Sequence, residues 1–441
     1  MGQLSPSLSL SGSRRAVFAA GAGTLIQGYD SLLYGYFATV FAKQFFPPGD
    51  PTAALLSTFA IFAVGFAVRP LGGIVFGHVG DRLGRRTALI ASILMMATAT
   101  PAIGLLPTYQ SIGAWAPVLL LMCRLLQGFS VGGEYIGANV LILEHASAGW
   151  SGRSVSVNQI AGYLGISAAA TTSLVLSSNL SAADLAQWGW RLPFFAALPL
   201  GLIGLYLRLR ISDSPEFTAA KVKRLSFPLG TTLRTAWRGL LIYGAWFAMV
   251  GLGGYMLHGY MASYLIRVVG LNATGAFAAS LAAVIALAAG AMTGGYLVDR
   301  YPPYLVAIAS ASGIAVLVVP GFLLTQRGSV GAAILGLVPW AACLGIAATF
   351  GATLTVVLFP VQVRYTATAF AHNVTVTLFG STAPYVSTWL VDRVGSPFMP
   401  AWYLVVMALI AIVVAVFVLK DLAARPIRPS VTSVPGAPGE R

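Results

Sequence analysis

Twelve apolar runs, most of them about 20 residues long and separated by short charged turns, constrain this chain more than any other feature of its sequence. An apolar helix of that length, rising about 1.5 Å per residue, crosses the ~30 Å hydrocarbon core of a bilayer. The runs fall at 16–41, 54–76, 87–106, 116–146, 154–176, 192–209, 239–267, 273–297, 305–324, 332–358, 366–391 and 402–419. They are continuous, whereas the strands of a membrane β-barrel alternate apolar and polar residues with period two. With 57% hydrophobic and only 9% charged residues, 441 residues hold too little polar surface to cover a water-soluble core. The expected fold is an all-α polytopic membrane protein of twelve transmembrane helices in two pseudo-symmetric six-helix bundles.

A net charge of +14 invites a nucleic-acid reading, and the position of the charges rejects it. The basic residues sit in short turns, mostly on one side, and form no separate basic domain. That bias places both termini in the cytoplasm, which for a multi-pass chain means the plasma (inner) membrane. The expected organisation is a cytoplasmic N-terminal segment (1–15), a first bundle (16–210), a cytoplasmic central loop (211–238), a second bundle (239–420) and a disordered cytoplasmic tail (421–441). Arg14 and Arg15 precede the first run as in a signal peptide, but no small-residue cleavage site follows, so the run reads as an uncleaved first helix. Cys123 and Cys343 lie far apart inside apolar runs and form neither a disulfide framework nor a metal spacing. No phosphate loop, metal cluster or nucleophile triad is present, so the chain is expected to have no cofactor and not to be an enzyme. It is expected to be monomeric, with the lipid bilayer as its surroundings.

Ionisable groups inside a hydrocarbon core cost at least a few kcal/mol, so each is a pointer to function. The first run holds Gln27, Asp30 and Tyr34 at i, i+3 and i+7, on one helix face. The fourth holds Arg124, Gln127 and Glu134, within about 80° of arc at ~100° per residue. Arg69 lies in the second run, Asn158, Gln159 and Tyr163 in the fifth, Trp246, Tyr255 and His258 in the seventh, and His372 and Asn373 in the eleventh. Such stripes must face protein or water. They outline a hydrated central path in which Asp30 and Glu134 exchange a proton beside the fixed charge of Arg124. A buried structural ion pair is the alternative.

Residues 77–86 read Gly-His-Val-Gly-Asp-Arg-Leu-Gly-Arg-Arg, a tight charged turn between the second and third runs. Gly77, Asp81, Arg82, Gly84, Arg85 and Arg86 are its defining residues, and Gly295, Asp299 and Arg300 form a partial copy in the second half. Glu144 and Arg153 lie on the same side. Opposite charges at neighbouring helix ends can latch two helices in one state and part in another.

At these residues the chain resembles the major facilitator superfamily, and within it the metabolite:proton symporter family, which includes proline/betaine, α-ketoglutarate, citrate and shikimate transporters. Residues 77–86 are similar to the superfamily loop motif G-x-x-x-D-R-x-G-R-R, and Arg124-Leu-Leu-Gln127-Gly128 to its R-x-x-Q-G motif, followed by the family's Gly132-Gly133-Glu134. Similar runs are Tyr29-Asp30, Phe45-Phe46-Pro47, Arg69-Pro70-Leu71-Gly72-Gly73 and Trp190-Arg191-Leu192-Pro193-Phe194-Phe195. The resemblance implies alternating-access transport, with Asp81 and its arginines as a cytoplasmic latch and Arg124 and Glu134 near the proton path. The reading that follows is proton-driven import of a small organic acid or zwitterion, the proton serving as coupling ion. The arginines suit a carboxylate, and Trp246 and Tyr255 suit an apolar body or quaternary ammonium. One departure matters: members often carry an acid where this chain has Gln27. It leaves open a proton-independent facilitator or exporter.

Overall fold

The computed structural model describes residues 10–83, 85–132, 151–209, 236–359 and 364–419, all of it helix and connecting turn without a strand among the described residues. The first half runs α1 (Leu10–Tyr36), α2 (Ala38–Phe45), α3 (Pro51–Ala67), α4 (Arg69–Leu83), α5 (Arg85–Leu105), α6 (Tyr109–Ile112), α7 (Trp115–Val131), α8 (Ser151–Asn179), α9 (Ala182–Gln187) and α10 (Leu192–Leu209). The second runs α11 (Trp237–Tyr255), α12 (Met261–Arg267), α13 (Ala273–Arg300), α14 (Pro303–Thr325), α15 (Val330–Leu358), α16 (Arg364–Thr375), α17 (Ala383–Val394) and α18 (Met399–Val414). Eight helical stretches among the described residues are long and apolar enough to cross a membrane, and Ile90–Leu105 and Trp115–Val131 are shorter apolar helices.

Polar caps mark the helix starts at one end of the bundle. Asp50, Ser181, Asn272 and Ser329 accept hydrogen bonds from the backbone N–H groups of Thr52, Asp184, Gly275 and Ala332. Each supplies an acceptor for an N–H that the first turn of a helix leaves without a partner. Gly395, at φ +70°, ends α17 in the left-handed conformation that a glycine tolerates.

Each half has its own buried apolar cluster. One is built mainly from α1, α2, α3, α7, α8 and α10, the other mainly from α11, α13, α14, α15 and α18. Phe41 and Phe45 pack edge-on against Trp190, at 5.3 and 5.6 Å between ring centroids, so two of the aromatic sequence motifs are one packing cluster. The halves meet through α8 against α13 and α15, α1 against residues 256–260, α3 against α17, and α4 against α16.

Several helices depart from what hydropathy alone suggests, three of them where the halves meet. The second run is broken at Val68 into α3 and α4, because Pro70 brings no N–H to the Phe66 carbonyl four residues earlier. That carbonyl accepts the Thr377 hydroxyl of the other half at 3.3 Å. The seventh and eleventh runs each contain a π-turn, Met256–Tyr260 and Val376–Gly380, a distortion often found at functional sites. The charged turn is shorter than expected: α4 continues to Leu83 and α5 begins at Arg85, so helix carries these charged residues beyond the apolar run.

Helix contact is closest where glycine replaces a side chain. A Cβ at Gly128 would lie 1.6 Å from the Gly65 carbonyl oxygen, so α3 and α7 touch backbone to backbone there. Gly128→Ala therefore forces those helices apart, at a cost on the order of 1–3 kcal/mol. Thermal unfolding of the purified protein in detergent should show a lower midpoint for Gly128→Ala and little change for Leu126→Ala, whose side chain is exposed on the same helix.

Candidate functional site

Asp30 is buried on α1, near the middle of the first half. Two neutral side chains hold it: the Thr100 hydroxyl donates to Oδ1, and Gln127 Nε2 donates to the same oxygen at 3.2 Å. Gln127 Nε2 also reaches Thr100 Oγ1 at 2.7 Å, and its Oε1 accepts from Arg124 Nη1 at 2.7 Å. A hydrogen-bonded relay thus runs Arg124–Gln127–Asp30. The simple buried ion pair is not formed, since neither Arg124 nor Arg69 comes within 4.0 Å of the carboxylate. Arg124 lies over the rings of Tyr34 and Phe62, at 4.1 and 5.3 Å from their centroids. Arg69 lies 3.7 Å from the Phe66 centroid and donates to Ser31 Oγ at 3.4 Å.

A cavity of about 170 Å³ opens beside this cluster, between the two halves. It is small against the ~300–1,000 Å³ of common ligand pockets, which suits a compact solute. Of the residues expected to line a central path, Gln27, Arg69, Gln159, Tyr163, Tyr255, His258, His372 and Asn373 line it. Four others lie elsewhere. Tyr34 is buried with its hydroxyl on the Thr58 carbonyl at 3.0 Å, and Gln127 belongs to the Asp30 cluster. Asn158 accepts from Thr24 behind the wall, at 2.9 Å. Trp246 packs on Phe350 and donates to the Ala347 carbonyl at 3.1 Å, inside the second half's core.

The aromatic side chains that do line the cavity are Tyr163, Tyr255 and Phe247. Phe247, Thr24, Ser31 and Thr100 were not among the expected residues. Thr24 and Ser31 sit one turn either side of Gln27, which a wider reading of that face would have included. Thr100 carries no such signal, since a threonine in a helix can bond the carbonyl one turn before it as readily as a partner on another helix.

Two crevices of about 10 Å³ flank Asp30, each near the size that holds one water. One shares Ser31, Arg69 and Val131 with the large cavity; the other lies among α1, α5 and α10. Arg69 therefore faces both the solute-sized space and the carboxylate.

Contacts between the halves occur at both ends of the bundle. At one end Asp299 accepts from the backbone N–H groups of Gly152 and Arg153, at 2.7 and 3.1 Å, and its carboxylate lies 3.8 Å from Arg153 Nε. A carboxylate from the second half thus caps α8 of the first, where the positive helix end favours it. At the other end Thr274 donates to the Ser177 carbonyl at 3.0 Å, and Arg267 reaches the Pro51 carbonyl and Thr52 hydroxyl, both at 3.3 Å. Arg300 is exposed. Glu134, Glu144 and Gly84 lie outside the described residues. Gly77, Asp81, Arg82, Arg85 and Arg86 belong to α4 and α5, with side chains outside the description.

A family model described as "Sugar (and other) transporter" matches residues 16–226. The proline/betaine transporter of Escherichia coli (strain K12) is 34% identical over 431 residues, covering 94% of this chain and 85% of that protein. The glycine betaine/proline/ectoine/pipecolic acid transporter OusA of Dickeya dadantii is 35% identical over 429 residues, with 94% and 85% covered. Among solved structures, a D-xylose-proton symporter superposes with TM-score 0.73 at 19% identity, covering 92% of this chain and 97% of the other.

The Asp299 cap generates a test. Asp299→Ala removes two charge-assisted hydrogen bonds, each worth about 1.5–3 kcal/mol, from one end of the interface. Ser156→Cys, buried there beside Gly295, should react with maleimide at least several-fold faster in the Asp299→Ala background.

Proposed function

The chain belongs to the proline/betaine transporter family of the major facilitator superfamily, and on that premise we propose that it imports a small carboxylate-bearing zwitterion together with a proton. It is a membrane transporter and not an enzyme. The observation that carries the coupled reading is the double exposure of Arg69, to the 170 Å³ cavity and to the Asp30 crevice.

Charge counting supplies the mechanism. With Asp30 ionised, one negative charge offsets part of the positive potential of Arg69 and Arg124. Protonation of Asp30 removes that charge, and the cavity then attracts a carboxylate more strongly. A carboxylate bound at Arg69 in turn favours the protonated acid, because coupling between two sites is reciprocal. Proton and solute thus load together from one side. When Asp30 releases its proton on the other side, the hold on the carboxylate weakens. The π-turns and the break at Val68 are where the six-helix halves are expected to flex, and the Asp299 cap closes one end. The concentration of basic residues at that end supports a cytoplasmic location for it and for both termini. Tyr163, Tyr255 and Phe247 offer ring faces to the ammonium group.

Uptake of external proline or glycine betaine into proteoliposomes tests this reading. Removing the pH gradient should collapse uptake. Asp30→Asn should abolish accumulation while sparing exchange across the membrane. Arg69→Gln should raise the KM of either solute by tenfold or more, on the order expected for one lost charge-assisted hydrogen bond. Uptake indifferent to the gradient would instead identify a facilitator, the alternative that Gln27 raises.

A further inference from the structure

The cavity's unpartnered atoms specify more than a carboxylate. Three of its lining residues carry buried polar atoms without a hydrogen-bond partner: Gln27 Oε1, Arg69 Nε and His258 Nδ1. Gln27 and His258 are 8% and 7% exposed. An amide oxygen only accepts and a guanidinium N–H only donates, whereas an imidazole nitrogen does either. A solute that pairs with this set brings an acceptor for Arg69 and a hydrogen-bond donor, such as an ammonium N–H, for Gln27 once the amide turns toward the cavity.

Other polar side chains in the wall are already engaged. Thr24 donates to Asn158, Gln159 to the Ala348 carbonyl and Asn373 to the Gly132 carbonyl. Among the described residues lining the cavity, Tyr163, Tyr255 and Phe247 turn ring faces to a solute's ammonium group.

We infer that Gln27 is a specificity-determining residue, whose amide oxygen takes an ammonium N–H and makes the transporter prefer N–H-bearing zwitterions to fully N-methylated ones. The inference rests on the zwitterion-import reading above. A secondary-amine imino acid such as proline keeps N–H donors beside its carboxylate. A quaternary betaine has none and leaves Gln27 Oε1 buried and unpaired. A site that hydrogen-bonds a donor discriminates against the analogue lacking it more strongly than an apolar wall does.

The test is competition against radiolabelled proline uptake in proteoliposomes, using proline, N-methylproline, N,N-dimethylproline and glycine betaine. In the wild type, apparent affinity should fall at least about tenfold on loss of the last N–H, a typical effect of one unpaired buried acceptor. Gln27→Met, which keeps the side-chain length and removes the acceptor, should raise the KM for proline about tenfold and leave that for betaine within twofold. Gln27→Glu, which attracts any ammonium by charge, should lower the KM for betaine and narrow the preference. Equal competition by the methylated solutes in the wild type would overturn the inference, as would equal losses for proline and betaine in Gln27→Met. If none of these solutes is transported or competes, the zwitterion-import reading itself fails.

Discussion

A carboxylate buried in a membrane protein beside two arginines, and bonded directly to neither, is the constraint on which the rest of this structure depends. Asp30 is held by Thr100 and Gln127, both uncharged donors, while Arg124 contributes through Gln127. A direct ion pair in a low-dielectric interior resists separation, since parting it strands two charges. On the proposed mechanism, the relay keeps the positive charge near enough to act on the carboxylate and leaves the carboxylate free to change its own charge. The Arg124 guanidinium is partly accommodated by ring faces, those of Tyr34 and Phe62.

The helix packing follows from the same requirement. α3 and α7 approach backbone to backbone at Gly65 and Gly128, one turn from Arg124 and immediately after Gln127. The break at Val68 starts a new helix at Arg69, where the solute cavity and the Asp30 crevice meet. The Phe66 carbonyl freed by Pro70 bonds to Thr377 in the facing π-turn. Irregular backbone thus lies at the contact between the halves, beside the charged residues. Irregularity at this depth is tolerated only where protein or a cavity satisfies the exposed backbone groups.

The helical runs and the face carrying Gln27 and Asp30 were legible because hydropathy and the 3.6-residue period are local properties. So was the stripe of Arg124 and Gln127. Which residues meet across helices was not, since that depends on how each helix is rotated against its neighbours. Trp246 illustrates the limit: it lies in the same helix as Tyr255, yet it faces the Ala347 carbonyl and the second half's core. Thr100 was invisible for a different reason, because a hydroxyl in an apolar run looks the same whether it bonds its own helix or a distant carboxylate. Pro70 was visible, but not that its freed carbonyl would be taken by Thr377, 311 positions away.

The central claim is that one proton accompanies each zwitterion. A zwitterion is electrically neutral, so coupled transport must carry net positive charge. Current recorded from proteoliposomes on a solid-supported membrane, after a rapid proline jump, measures that charge directly. The account predicts a transient of positive charge moving with the solute, with a reversal potential that follows the pH gradient at one proton per proline. Proline uptake verified by radiolabel on the same vesicles, without any charge displacement, would contradict it.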